Sequence, residues 1–153
     1  MNDCILFDDD VLPANNFIAL SDELFSGWSL INYSYNPNHS THDSNKASWG
    51  FEHEHDRFAF YDAAIHIKLK IQKYIRKPIQ LCKIHVNGQT TSQVAPFHTD
   101  FPQPWVWTFI LFTNLEWNTE WGGEFICYNT KTKKYNYVPY IPNRGVLVPS
   151  NWD

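Results

Sequence analysis

Residues 97–128 read FHTDFPQPWVWTFILFTNLEWNTEWGGEFICY. Three runs stand out in it, Phe97 to Phe101, Trp105 to Leu115 and Gly123 to Tyr128, parted by Pro, Asn and Gly. Runs rich in aromatic and β-branched residues and bounded by turn formers read as short β-strands. The same pattern extends outward. Ile79 to Val86, Lys134 to Val138 and Val146 to Val148 are further expected strands, and Asn87-Gly88 is an expected turn. Upstream of Pro78 the pattern differs. Ile5 to Phe7 fits a short strand, and Pro13 to Phe25 fits a helix with Phe17, Leu20, Leu24 and Phe25 on one face. In residues 58–77, Ile65, Ile67, Leu69 and Ile71 alternate like a strand, whereas Phe58, Tyr61, Ala64, Ile65, Leu69 and Ile75 make a helical stripe. No turn residue interrupts before Pro78, so a helix is expected. Residues 34–48 form a polar loop by composition. Helices followed by strands indicate an α+β, mainly β chain whose β part is a sandwich or jelly roll.

Composition bounds the rest. A chain of 153 residues is expected to be a single domain, with a helix-rich part over 1–77 and a β core over 78–153. Hydrophobic residues at 43% against 18% charged exclude a disordered polar chain. The longest apolar run, Trp105 to Phe112, falls short of the about 20 residues a membrane helix needs. The opening MNDCILFDDD lacks the basic start and apolar core of a secretory signal. Cys4, Cys82 and Cys127 are scattered, which fits free thiols in a reducing, cytoplasmic setting. A net charge of −4 argues against nucleic acid as a partner. The charge distribution is uneven: no Lys or Arg occurs between Lys83 and Lys131.

The sharpest chemical feature is His98-Thr99-Asp100. On a strand, residues two apart project from one face, about 7 Å apart. His98 and Asp100 then converge on one point, with Phe97, Thr99 and Phe101 facing the other way. One His and one carboxylate are two-thirds of the facial triad of non-haem Fe(II) oxygenases, which leaves positions open for O₂ and an organic cosubstrate. Taken alone, the tripeptide fits a strand-end His bonded to a neighbouring Asp better.

The motifs that follow change the balance. Ten residues after His98 begins Thr108-Phe-Ile-Leu-Phe-Thr-Asn114, then Trp121-Gly-Gly-Glu124, then Pro142-Asn-Arg-Gly-Val-Leu-Val-Pro-Ser150. Their order and spacing resemble the prolyl-4-hydroxylase-like family of Fe(II)/2-oxoglutarate dioxygenases. Thr108 takes the Thr place of that family's T-x-x-x-Y-L-N strand, and Phe112, Thr113 and Asn114 take the Y-L-N places. Residues 85–100 (HVNGQTTSQVAPFHTD) and Phe7-Asp-Asp-Asp-Val-Leu-Pro13 look like the small phage and marine-bacterial branch.

The resemblance implies a double-stranded β-helix core, that is, a jelly roll, flanked by N-terminal helices. It implies Fe(II), 2-oxoglutarate and O₂ as cofactors, with ascorbate as a companion reductant. The implied reaction is hydroxylation of a C–H bond in a peptidyl (prolyl) or small-molecule substrate as 2-oxoglutarate is decarboxylated to succinate. His98 and Asp100 are the implied metal ligands and catalytic residues. Thr108 and His85 are the implied cosubstrate neighbours, His85 near where members carry a Tyr that touches 2-oxoglutarate; a structural His at a strand end is the alternative. The distal metal-binding His falls at the position directly after Asp153. The basic residue that pairs with the far carboxylate of 2-oxoglutarate, and the last core strand, fall further on. Residues 1–153 are thus expected to form a C-terminally truncated member with two of three ligands. A truncated, inactive member and a non-catalytic β-sandwich binding module, with Trp residues contacting carbohydrate, are the alternatives.

Other features weigh less. Glu52-His53-Glu54-His55-Asp56 has the look of a two-metal hydrolase motif, but a solvated, acidic approach to a helix explains it more simply. Arg144, in Pro-Asn-Arg-Gly, is expected to be a solvated turn residue. Gly122-Gly123 is expected to serve turn geometry. Ser150 has no visible triad partners.

Overall fold

A computed structural model describes residues 5–25, 27–32, 49–53, 58–88 and 97–151. The elements in chain order are β1 (Ile5–Asp8), α1 (Ala14–Glu23), β2 (Trp28–Asn32), β3 (Trp49–His53), α2 (Phe58–Ile75), β4 (Asn87–Gly88), β5 (Trp107–Leu111), β6 (Phe125–Asn129), β7 (Lys134–Val138) and β8 (Gly145–Pro149). The chain is mixed α and β, with two helices and short antiparallel strands. The described strands close no barrel. Two compact units form: residues 1–21 join 97–153, and 22–96 make the other.

In the first unit β8 is the middle strand of the sheet β1-β8-β5, antiparallel to both neighbours. Its sequence, GVLVP, has no polar residue, and all five positions are buried. A continuous apolar run of this kind suits a strand covered on both faces. On one face Val146 and Val148 pack with Phe112, Cys127 and Val138, joined by Ile110, Phe125 and Tyr140. This core therefore lies between the sheet and the hairpin β6–β7, which pairs Phe125 with Val138 and Asn129 with Lys134. On the other face Gly145 matters by what it lacks. A Cβ there would overlap the ring of Phe109 and Val11.

The hairpin turn rests on Asn129. Its buried side-chain oxygen accepts from Lys131 N at 2.9 Å and Thr132 N at 3.0 Å. Its carbonyl accepts from Lys133 N at 2.8 Å, with Lys133 in the left-handed region at φ 58°. Helix α1 begins directly after Pro13, which suits the first turn because its missing N–H is not needed there. It buries Phe17 and Leu20, and Ser21 Oγ donates to Thr113 O at 2.8 Å.

The second unit holds the sheet β2-β3-β4 and helix α2. Two expectations about strands and turns fail here. Residues 79–86 form no strand: among the described residues no strand pairs with them, and without a ladder β-propensity alone does not make a strand. Asn87-Gly88 is not a hairpin turn but pairs with Glu52 and Phe51 of β3. Strands β2 and β3 were not expected at all. Residues 58–75 are helical as expected, but the buried residues are Phe60, Ala63 and Ile71. Phe58, Tyr61, Ile65 and Leu69 of the expected stripe are exposed instead. The polar loop at 34–48 lies outside the described residues, as do Glu54, His55 and Asp56. His53 is the last residue of β3, five residues before α2 begins at Phe58.

Candidate functional site

The strand expected at Phe97–Phe101 is not there: among the described residues, 97–101 pair with no strand. Pro102 and Pro104 remove backbone donors just where a ladder would continue. The segment is held another way, by the end of β8. Phe101 N donates to Ser150 O at 3.1 Å, and Ser150 N donates to Val106 O at 3.0 Å. The second bond continues the β5–β8 ladder past its last pair, Trp107 with Pro149, and the first ties segment 97–101 to the same residue.

His98 and Asp100 nonetheless converge. His98 Nε2 lies 3.3 Å from Asp100 Oδ1, with the imidazole 66% exposed and the carboxylate 40% exposed. The other carboxylate oxygen, Oδ2, accepts from Thr108 Oγ1 at 2.6 Å. Thr108, on β5 opposite Val148, lies in turn 2.8 Å from Ser150 Oγ. The four side chains make one line: His98, Asp100, Thr108, Ser150. It is not a nucleophilic triad. Ser150 is 2% exposed, stands at the far end from the imidazole and contacts a threonine rather than a base.

Two donors in adjacent positions of an octahedral ion, each about 2.1 Å from it, stand about 3.0 Å apart. The His98–Asp100 spacing, an ion-pair contact as it stands, is close to that, so the two donors can span one edge of an octahedral ion. Among the described residues no group of three or more His, Cys, Asp and Glu is gathered for a metal. His85, the other expected cosubstrate neighbour, lies exposed on the strandless segment 79–86 of the second unit, so the strand-end placement expected for it does not hold.

Arg144 departs from expectation. It is 8% exposed, not solvated. Its Nε and Nη2 both donate to the Asp9 carboxylate, the second at 2.7 Å, and Nη1 donates to Pro139 O at 3.2 Å. The hydrogen bonds from Arg144 hold Asp9 below the usual carboxylate range against a smaller opposing effect of burial. The same bonds raise Arg144. With its guanidinium committed to Asp9, Arg144 is not a spare cation for a dianionic ligand.

The Gly-Gly turn behaves as expected. Gly122 and Gly123 have φ of 73° and 83°, and a Cβ on Gly123 would strike the ring of Trp117. Trp117 stacks on Tyr140 with centroids 4.0 Å apart, donates Nε1–H to Gly122 O at 2.9 Å, and meets Trp121 edge-on. Burial raises the Tyr140 phenol above its usual value, and its OH donates to Asn114 Oδ1 at 2.8 Å. Trp117 is thus a packing residue, while Trp105 and Trp121 are exposed.

Sequence reasoning missed Ser150 as part of the site. Its signal was present in the Pro149-Ser150 pair, but only the β5–β8 register brings that hydroxyl to Thr108. Compared with protein-family models, curated proteins and solved structures, the chain matches none.

Proposed function

We propose that this chain is an Fe(II)/2-oxoglutarate-dependent dioxygenase of the prolyl-4-hydroxylase-like kind. The observation that carries the proposal is the convergence of His98 Nε2 and Asp100 Oδ1 at 3.3 Å, with Oδ2 already engaged by Thr108. Bound there, Fe(II) supplies the redox chemistry that couples decarboxylation of 2-oxoglutarate to hydroxylation of a C–H bond. His98 and Asp100 hold the ion, and Thr108 holds the carboxylate. In this reading the sheet β1-β8-β5 and the hairpin β6–β7 would be two sides of a jelly roll; their packing across the Val146–Cys127 core supports it.

For 2-oxoglutarate the described residues around His98 and Asp100 provide no cationic anchor. Residues 84–130 contain no Lys or Arg, and Arg144 is bound to Asp9.

The test is Fe(II) titration of the wild type and His98→Ala, with succinate release from 2-oxoglutarate as a second readout. Binding lost in His98→Ala supports the site. Equally weak binding by both sinks it. A second reading, a non-catalytic carbohydrate-binding module, is favoured by the exposed rings of Trp105 and Trp121. It predicts glycan binding that survives a chelator.

A further inference from the structure

Resting on the iron site proposed above, we infer that Ser150, acting through Thr108, is a positioning residue that dictates which oxygen of Asp100 faces the metal. The line of contacts has a direction. An ionised carboxylate accepts hydrogen bonds and donates none. At 2.6 Å from Asp100 Oδ2, the single hydroxyl proton of Thr108 therefore points at the carboxylate. The 2.8 Å contact between Thr108 Oγ1 and Ser150 Oγ then has Ser150 as its donor. Two hydroxyls aligned head to tail polarise each other and strengthen the bond onto Oδ2. Oδ1 is the oxygen turned toward His98 Nε2.

The need for such a device follows from the loop. Asp100 is on no strand, so no sheet pleat sets the direction of its side chain. Ser150 replaces the pleat. Its carbonyl holds Phe101 N, its N–H holds Val106 O, and its hydroxyl holds Thr108. One buried residue at the end of β8 thus grips both ends of the loop that follows Asp100, and also the threonine that aims the carboxylate. Partners of this kind commonly set metal affinity without touching the metal.

Mn(II), a stand-in for Fe(II) that needs no turnover, tests the inference when titrated into residues 1–153 and followed by solvent-proton relaxation. Thr108→Val, which keeps the shape but removes the hydroxyl, is expected to weaken binding by about 10- to 100-fold. Thr108→Ser, which keeps the hydroxyl, is expected to bind like the wild type. Ser150→Ala is expected to weaken binding in the wild-type background and to add nothing in Thr108→Val, because its effect passes through the threonine. A purely structural role for Ser150 would weaken both backgrounds alike, and that result overturns the inference. So does Thr108→Val binding as tightly as the wild type. The Thr108 pair keeps the experiment decisive if Ser150→Ala does not fold. Binding unchanged in His98→Ala is a separate outcome: it removes the metal site itself and the inference with it.

Discussion

At the residue scale, Asp9 and Asn143 tie the start of the chain to the turn before β8. The Asp9 carboxyl is lowered by Arg144, so the charged form is favoured in the folded state. Stability from this pair is present above the ordinary carboxylate pKa of about 3.9 and is lost as pH falls through the lower folded value. Asp9→Asn is therefore expected to flatten the acid limb of a stability-versus-pH curve measured by urea unfolding. At neutral pH Asp9→Ala leaves a largely buried guanidinium without its carboxylate and is expected to cost about 1–3 kcal/mol. Asn143 has two tasks. Its amide accepts from Leu12 N at 3.0 Å and donates to Leu12 O at 2.8 Å, and its φ is 61°. Asn143→Gly removes the bonds but tolerates the backbone; Asn143→Ala removes the bonds and strains it. Asn143→Ala is expected to be the less stable by about 1 kcal/mol in denaturant midpoints.

At the element scale, β8 is the strand on which the sheet depends. Gly145→Ala forces a methyl into the space of Phe109 and Val11 and is expected to cost roughly 1–3 kcal/mol, read as a lower urea midpoint at unchanged slope. This strand was legible because its apolar run is unbroken and bounded by Pro142 and Pro149. β6 and β7 were legible from their aromatic and β-branched residues, with Asn129 at the turn between them. Residues 79–86 and 97–101 were misread because they have strand-like composition but no ladder. A strand is a property of a pair, and local pattern supplies one partner only. Helix α2 was legible as a helix, yet the stripe read in it was Phe58, Tyr61, Ala64, Ile65, Leu69 and Ile75, of which none is fully buried, whereas Phe60, Ala63 and Ile71 are. An apolar residue on every side of a helix leaves the choice of face to tertiary packing.

At the scale of the whole molecule, the first unit closes by pairing residues 5–8 with β8, almost the full length of the chain away. The proposed site sits where β8 ends. With two protein donors gathered among the described residues, residues 1–153 are expected to bind Fe(II) weakly and to release little succinate from 2-oxoglutarate. Calorimetric Fe(II) titration and a succinate assay check this. Vigorous 2-oxoglutarate turnover by residues 1–153 would contradict it.

The amino-acid sequence by itself determined the α and β content, the helices at 14–23 and 58–75 and the glycine turn at 122–123; it singled out His98 and Asp100 as a pair, though through a strand that is not there. These are local: they depend on periodicity, φ freedom and the reach of neighbouring side chains. Tertiary structure alone decided that Arg144 is buried against Asp9, that Asn87-Gly88 joins a sheet, and that Ser150 stands behind Thr108 and Asp100. Each of those contacts joins residues dozens of positions apart, and no local pattern encodes which distant partner a backbone edge or a buried polar group will find.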